Sequence, residues 1–170
     1  NGGAILASTI DKYCYITCRY LPPFFPHKYR IVYSCVETVK DAREIRHPAI
    51  RTIIEIFKED RGLEVHYDAD LPAKTGVGSS SSFTVGFINA LKSLRGESIE
   101  KKELAKLAIH LEQEVMKENV GAQDQILAAY GKLNKIELNM DGSFNVIPVN
   151  LTRERLNSLQ SHLMLYFTGV

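Results

Sequence analysis

The sequence has no tryptophan, only three cysteines and no clear excess of either charge. Its 21 Lys and Arg residues are balanced by 20 Asp and Glu residues, which leaves a formal net charge of +1. Because nucleic acid and anionic membranes are bound through concentrated basic surfaces, this balance argues against both classes of partner. No segment approaches the roughly 18 consecutive apolar residues of a transmembrane helix. We therefore expect neither a nucleic acid nor a membrane as partner.

The small number of cysteines also indicates the cellular compartment of the protein. The number of cysteines is odd, and none of them forms a Cys-x-x-Cys pair. They lie in apolar, strand-like segments, at Cys14, Cys18 and Cys35. That pattern is typical of free, buried thiols in a reducing compartment, and a disulfide or zinc site is not expected. The five histidines lack the spacing of metal ligands, and the first residues lack the basic and apolar regions of a signal peptide. These features predict a cytoplasmic protein.

The 170 residues suit one domain or one and a half, with 45% hydrophobic residues available for a core. Alternating or β-branched segments predict strands at 13–20, 29–34, 63–68, 132–139 and 143–149, the last two joined by an Asp-Gly turn. Helical periodicity predicts helices at 47–58, 83–94, 99–117, 123–130 and 152–160. Residues 36–46 look irregular, and the apolar run at 162–167 predicts a buried strand. Together, these elements predict an α+β fold with mostly antiparallel strands.

The most informative stretch is residues 71–82, Leu-Pro-Ala-Lys-Thr-Gly-Val-Gly-Ser-Ser-Ser-Ser, between a predicted strand and a predicted helix. Gly76 and Gly78 let the backbone adopt positive φ and let a ligand approach closely. The serines lie where a helix N-terminus leaves N–H groups without intrahelical partners. Together with the helix dipole, these groups suit an anion such as phosphate. A linker or an ordinary helix cap is the alternative, because the loop is neither a Walker A sequence nor a dinucleotide fingerprint.

Two carboxylates after this loop are candidates for chemistry. Glu112 lies beside Leu111 at the edge of a predicted buried stripe, whereas Glu114 should face solvent. A carboxylate near a phosphate site suits Mg²⁺, and an ordinary boundary salt bridge is its alternative. Asp124 enters a helix from a glycine-containing loop, so it is either an N-cap or a general base that accepts or orients the proton of an attacking hydroxyl.

The order Pro-x-x-x-Gly-Val-Gly-Ser-Ser-Ser at 72–81 resembles the second signature motif of the GHMP kinases, the superfamily of galactokinase, homoserine kinase, mevalonate kinase and phosphomevalonate kinase. There the usual form is Pro-x-x-x-Gly-Leu-Gly-Ser-Ser-Ala, and the loop wraps the nucleotide phosphates. Residues 121–125, Gly-Ala-Gln-Asp-Gln, are similar to the Gly-x-x-Asp-Gln segment of the sugar-kinase branch. The offset of twelve residues from Glu112 to Asp124 is similar to that between the metal-binding Glu and the catalytic Asp of galactokinases.

The resemblance implies a role for each matching residue. Ser80 and Glu112 would bind Mg²⁺, and Asp124 would accept or orient the proton of a sugar hydroxyl. The contacts to the nucleotide would come from the loop residues Pro72, Gly76, Val77, Gly78, Ser79, Ser80 and Ser81. The implied cofactors are ATP and Mg²⁺, and the implied reaction is direct in-line transfer of a phosphoryl group to an alcohol.

Within the superfamily, residues 76–86 and 119–125 are most similar to the D-glycero-D-manno-heptose 7-phosphate kinase group. That group phosphorylates the anomeric hydroxyl with ATP to give the 1,7-bisphosphate, on the way to activated heptose for lipopolysaccharide or capsule. The implied partners are thus ATP and a sugar phosphate. Fucokinase-like and galactokinase-like enzymes share the motifs and stay open as alternatives, as does a non-catalytic binding module of the same fold. The oligomeric state is open, with a homodimer as one option.

The resemblance also implies the domain organisation. Residues 1–160 would form the ribosomal S5 domain 2-like N-terminal domain of a GHMP kinase, and 161–170 would begin a ferredoxin-like C-terminal domain. The family's first motif should precede residue 1, with residues 1–6, Asn-Gly-Gly-Ala-Ile-Leu, as its tail, and its third motif is absent. We therefore expect a part of a longer kinase, inactive alone.

Overall fold

The computed structural model describes residues 2–72 and 75–166. The internal contacts divide the chain into one unit of residues 11–130 and another of residues 1–10 with 131–170. No helix in the described residues is long and apolar enough to cross a membrane. The strands are β1 (Gly3–Ser8), β2 (Cys14–Tyr20), β3 (Tyr29–Val32), β4 (Val36–Val39), β5 (Leu63–Ala69), β6 (Leu133–Leu138) and β7 (Phe144–Pro148). The helices are α1 (Pro48–Ile56), α2 (Ser79–Leu94), α3 (Lys101–His110), α4 (Gln123–Tyr130) and α5 (Arg153–Ser161).

The unit of residues 11–130 contains a mixed four-stranded sheet in the order β2-β5-β3-β4. The β2–β5 and β3–β4 pairs are antiparallel, while β3 and β5 run parallel. Because β5 lies between β2 and β3, the proline-rich segment at 21–26 is not a hairpin connection but a surface loop, in which Phe24 is exposed. Cys14, Cys18 and Cys35 are free thiols, but the prediction that they are buried is wrong, because each is only half-buried.

One face of this sheet packs against the helices and forms the core. Alternate residues of each strand point to this face, as the period of two requires. α2 packs directly on β2, and the apolar stripes of α1 and α3 join the same buried cluster. Each fully buried Ile, Leu or Phe side chain contributes about 1.5–3 kcal/mol through burial. The completely buried members of this core are Ile31, Ile45, Ile50, Ile53, Leu63, Val65, Phe87, Ile88, Leu91, Ala108 and Leu111.

The prediction of an irregular segment at 36–46 is wrong, because β4 and a 3-10 turn at Ala42–Glu44 lie there. Glu37 made this strand hard to recognise from the sequence, because a charged residue usually indicates an exposed segment. In the structure its side chain is buried. Its carboxylate accepts hydrogen bonds from the Tyr33 hydroxyl (2.7 Å) and from the Arg46 backbone N–H (2.7 Å). A carboxylate with such partners can occupy the buried face of a strand, and a hydrophobic pattern does not detect them.

The predicted helix at 99–117 is also divided. After α3 the chain continues into a π-helical turn at Leu111–Val115, in which the Met116 N–H donates to the Leu111 carbonyl over 2.8 Å. A π turn places one more residue in the turn than an α-helix does, so the faces of the following residues are shifted. Val115, which a regular helix would place on the same buried stripe as Leu111, is therefore 41% exposed.

The other unit contains an antiparallel sheet in the order β1-β6-β7. The β6–β7 hairpin turns at Asp141 and Gly142 as predicted, with the Asp141 carboxylate accepting from the Ser143 N–H over 2.9 Å and Gly142 at φ +80°. Thr152 caps α5 through its hydroxyl, which accepts from the Arg155 N–H over 3.3 Å. The predicted turn and the predicted helix at 152–160 are confirmed, because each rests on local turn and capping chemistry.

The buried strand predicted at 162–167 does not form over its described part. Residues 163–166 have no regular structure, and their side chains are 65–82% exposed. None of the described strands pairs with this segment, and an apolar run becomes a strand only where a partner satisfies its backbone groups. Phe167 lies outside the described residues, and the boundary at residue 160 stays a prediction.

Candidate active site

The glycine-serine loop leads directly from β5 into α2, as predicted. Gly76 and Gly78 have φ of +72° and +74°, and Gly78 is the N-cap of the helix. The first hydrogen bond within α2 joins the Ser82 N–H to the Gly78 carbonyl over 2.9 Å. The N–H groups of Ser79, Ser80 and Ser81 therefore precede the hydrogen-bonded part of the helix, at the positive end of its dipole. This arrangement can hold an anion such as a phosphate group.

The serines of this loop differ in exposure. Ser80 is exposed, whereas Ser81 is 5% exposed and its hydroxyl donates to Oε2 of Glu112 over 2.8 Å. The Ser80 hydroxyl is thus free to reach a ligand, while the Ser81 hydroxyl is occupied inside the protein. The predicted phosphate contact of Ser81 would then have to come from its backbone N–H.

Glu112 is fully buried at the beginning of the π turn, a kind of irregularity that often occurs at functional sites. Its Oε2 accepts hydrogen bonds from Ser81 and from the side-chain amide of Gln125. Its Oε1, also buried, has no partner in the described residues. Glu114 instead is exposed and lies 3.4 Å from Lys117, as the helical geometry predicts. A buried carboxylate oxygen without a partner is costly, so Oε1 fits the role of a ligand to a cation.

Asp124 lies in the first turn of α4 and packs against the glycine-serine loop. A Cβ atom placed on Gly78 would lie 3.0 Å from Asp124 Cγ, 3.1 Å from its Oδ2 and 3.2 Å from its Cβ. The N-cap alternative is wrong, since α4 begins at Gln123 and its Ile126 N–H donates to the carbonyl of Ala122. The carboxylate is therefore held beside the loop.

The fold thus brings together residues from three separate parts of the sequence. Asp124 lies where a Cβ atom on Gly78 would meet it, Ser81 contacts Glu112, and Gln125 follows Asp124 directly and also contacts Glu112. The roles predicted for the loop residues 72 and 76–81, and for Glu112 and Asp124, stay predictions, and residues 73 and 74 of the loop lie outside the described residues. The sequence reasoning missed Gln125, although it stands in the quoted Gly-x-x-Asp-Gln segment.

A further carboxylate, which the sequence reasoning also missed, is that of Glu118, six residues after Glu112. The Glu118 N–H donates to the Glu112 carbonyl over 2.9 Å, and burial followed by the charge of Glu112 raises the pKa of the Glu118 carboxyl. The described residues contain no cluster of three or more His, Cys, Asp or Glu side chains that could hold a metal. A Mg²⁺ ion here would thus take its other ligands from phosphate oxygens, a hydroxyl and water, as this ion usually does.

Comparisons with known proteins identify a matching family and several relatives. The family described as "GHMP kinases N terminal domain" matches residues 31–132, which include the whole site. The chain is 30% identical over 120 residues to the D-glycero-alpha-D-manno-heptose 7-phosphate kinase of Campylobacter jejuni, covering 71% of this chain and 35% of that protein. It is also 30% identical over 80 residues to a homoserine kinase of Clostridium botulinum, covering 46% and 27% of the two chains.

The fold is shared with solved structures of the same superfamily. A crystal structure of a D-glycero-D-manno-heptose 1-phosphate kinase from Bacteroides thetaiotaomicron superimposes with a TM-score of 0.82 at 23% identity, covering 94% of this chain and 55% of that one. The present chain thus spans about a third of the heptose 7-phosphate kinase and about half of this structure. Since the family match covers more than half of the sequence and contains the site, the chain belongs to the GHMP kinase N-terminal domain family.

Proposed function

We propose that this chain forms the nucleotide-phosphate-binding part of an ATP- and Mg²⁺-dependent sugar kinase that phosphorylates D-glycero-D-manno-heptose 7-phosphate at its anomeric hydroxyl. The observation that carries the proposal is the contact between Asp124 and Gly78, which holds a carboxylate beside a loop suited to phosphate. A hydroxyl placed there would meet both a proton acceptor and the phosphoryl group. The similarity to the C. jejuni heptose kinase supports the choice of sugar.

Each side chain has a defined task in this proposal. The N–H groups of Ser79, Ser80 and Ser81 hold the nucleotide phosphates, and Gly76 and Gly78 keep side chains away from them. Asp124 accepts or orients the proton of the attacking hydroxyl, so that the oxygen attacks the terminal phosphorus in line with the leaving oxygen.

The residues that would hold Mg²⁺ are Ser80, through its exposed hydroxyl, and Glu112, through Oε1, which has no partner in the described residues. When bound, Mg²⁺ supplies neutralisation of the negative charge on the phosphates. The free cysteines and the expected use of ATP suit a cytoplasmic location, which we include in the proposal.

Two other functions are open to test. The similarity to a homoserine kinase favours an amino-alcohol acceptor as the second candidate, whereas the Gly-x-x-Asp-Gln segment favours a sugar. A non-catalytic binding module is disfavoured, because such a protein has no need of a fully buried Glu112 with an oxygen that lacks a partner among the described residues.

The test is a coupled assay of ATP turnover with the gene product that carries this sequence. Heptose 7-phosphate, galactose, fucose and homoserine are compared as acceptors, and kcat/KM should be highest for heptose 7-phosphate. Asp124→Asn should lower kcat by about 10²- to 10⁴-fold, the usual contribution of a general base, with nucleotide affinity unchanged. Asp68→Asn is the matched control, because Asp68 is exposed on β5.

Each result bears on a different part of the proposal. Turnover of homoserine but not of sugars would reject the sugar assignment and keep the kinase. Undiminished turnover by Asp124→Asn would reject the role of that carboxylate. If the protein binds no nucleotide with or without Mg²⁺, the kinase proposal itself is wrong.

A further inference from the structure

The Glu112 carboxylate is held from one side only. Ser81 and Gln125, from the first turns of α2 and α4, both direct a donor group to the same oxygen, Oε2. All three side chains are at most 5% exposed, so water does not compete for these contacts. Because a carboxylate only accepts hydrogen bonds, the nitrogen of the Gln125 amide must face it. The rotation of the carboxylate about its last bond is therefore fixed by two separate helices.

Two further acceptor oxygens belong to this hydrogen-bonded pair. Oε1 of Glu112 and Oε1 of Gln125 are both buried and have no partner in the part of the chain that the structure describes. They belong to side chains that are hydrogen-bonded to each other, so they lie in one small region. Buried acceptors of this kind are normally satisfied by a donor, an ordered water or a cation.

The contact from Ser81 is a departure from the usual family motif. In the usual form of the motif, alanine occupies the position of Ser81, and alanine has no donor to offer. The departure is thus not a neutral exchange of small residues, since the hydroxyl is buried and bonded to the carboxylate. Gln125 supplies the second donor from the residue next to Asp124.

We propose that Ser81 and Gln125 are positioning residues that turn Glu112 so that Oε1 is presented to the divalent cation of the nucleotide complex. This inference rests on the proposed function. The pair acts on the metal through Glu112 and does not itself touch the transferred group. Residues that orient a metal ligand in this way typically affect metal affinity by about 10- to 100-fold when they are removed.

The experiment measures Mn²⁺ binding by electron paramagnetic resonance in the presence of a non-hydrolysable ATP analogue. Ser81→Ala and Gln125→Met remove one donor each and keep most of the side-chain volume. Ser82→Ala and Gln123→Met are their matched controls, because these residues neighbour the pair and make no side-chain hydrogen bond in the described structure. Glu112→Gln and Glu114→Gln test the ligand itself and its exposed neighbour.

We expect each positioning variant to weaken Mn²⁺ binding by about 10-fold or more, with the controls within twofold of the parent protein. Affinity for the analogue in EDTA should not change, and kcat should recover at saturating Mg²⁺. A residue that only stabilises the fold would not produce this separation. Ser81→Ala carries the residue of the usual motif, so it keeps the test decisive even if Gln125→Met folds poorly.

Two outcomes would overturn the inference in distinguishable ways. If Glu112→Gln loses Mn²⁺ affinity while Ser81→Ala and Gln125→Met keep it, the positioning role is wrong and the proposed function stands. If Glu112→Gln binds Mn²⁺ as the parent does, the metal role of Glu112 fails, and the positioning role fails with it.

Discussion

The two glycines of the loop allow a direct test of the contact with Asp124. Gly76 and Gly78 have nearly equal positive φ values, so alanine at either position should cost about 1–2 kcal/mol in backbone strain. Around Gly76, a Cβ atom would meet nothing within 4 Å among the described atoms. At Gly78 it would meet three atoms of Asp124 at 3.0–3.2 Å. Gly76→Ala is therefore the control that isolates the steric effect.

The size of this effect follows from the distances. Ordinary contact begins at 3.4 Å, so the atom at 3.0 Å must retreat by about 0.4 Å. Rotating the Asp124 side chain does not suffice, because its own Cβ is one of the close atoms. Either the loop or the first turn of α4 must shift, and overpacking of this kind typically costs about 1–3 kcal/mol. The expected loss in free energy of unfolding is roughly 1–2 kcal/mol for Gly76→Ala, from backbone strain alone, and roughly 2–5 kcal/mol for Gly78→Ala, from strain and overpacking together.

Urea unfolding measures the free energy of unfolding of the two alanine variants, and steady-state kinetics measure their turnover. Gly78→Ala should lower kcat at least about 10-fold more than Gly76→Ala, since small displacements of a reacting group have large effects. Asp124→Gly should remove the excess destabilisation in a double-mutant cycle. Equal free energies and equal kcat for the two alanine variants would refute the close approach of Asp124 to the loop.

Other predictions concern stability. Burial disfavours ionisation of Glu64, but hydrogen bonds from His66, Arg19 and Arg30 outweigh it and lower the pKa of Glu64 to about 2. Because the pKa is lowered in the folded state, ionised Glu64 contributes its full stabilisation above its ordinary pKa, about 4.3. This contribution, roughly 3 kcal/mol, is lost as the pH falls towards 2. Urea unfolding of Glu64→Gln should show a flatter dependence over this range; an unchanged acid slope would contradict the assignment. Phe87→Ala should cost about 3–5 kcal/mol, because Phe87 is fully buried, and calorimetry should show a lowered Tm.

The sequence could predict what short-range patterns determine. α1 has Ile50, Ile53 and Ile54 on its buried face, as the helical stripe indicates, and its first residue is Pro48, a favoured starting position. α2 begins at Ser79 because Gly78 takes the left-handed conformation that ends the loop. The resemblance also singles out Glu112 and Asp124, although both are distant from the loop in the sequence.

The features that escaped prediction depend on distant partners. Pairing of β5 with both β2 and β3 is a property of the sheet, so no local pattern shows that β5 separates two strands adjacent in sequence. Glu37 can lie in a buried strand only because Arg46 and Tyr33 reach it. The π turn and the donors to Glu112 likewise arise from packing between helices. Longer-range polar contacts override the simple rule that charges mark surface segments.

The pairing of β1 with β6 has a consequence for the order in which the chain can fold on the ribosome. Ser8 pairs with Leu133, so β1 meets the start of its partner only after 125 further residues have been made. At about 5–20 residues per second, this delay is roughly 6–25 s. Residues 11–130 have their own core and can fold in that interval, whereas the pairing of β1 with β6 can form only afterwards. The sheet of β1, β6 and β7 is therefore completed after the core of residues 11–130.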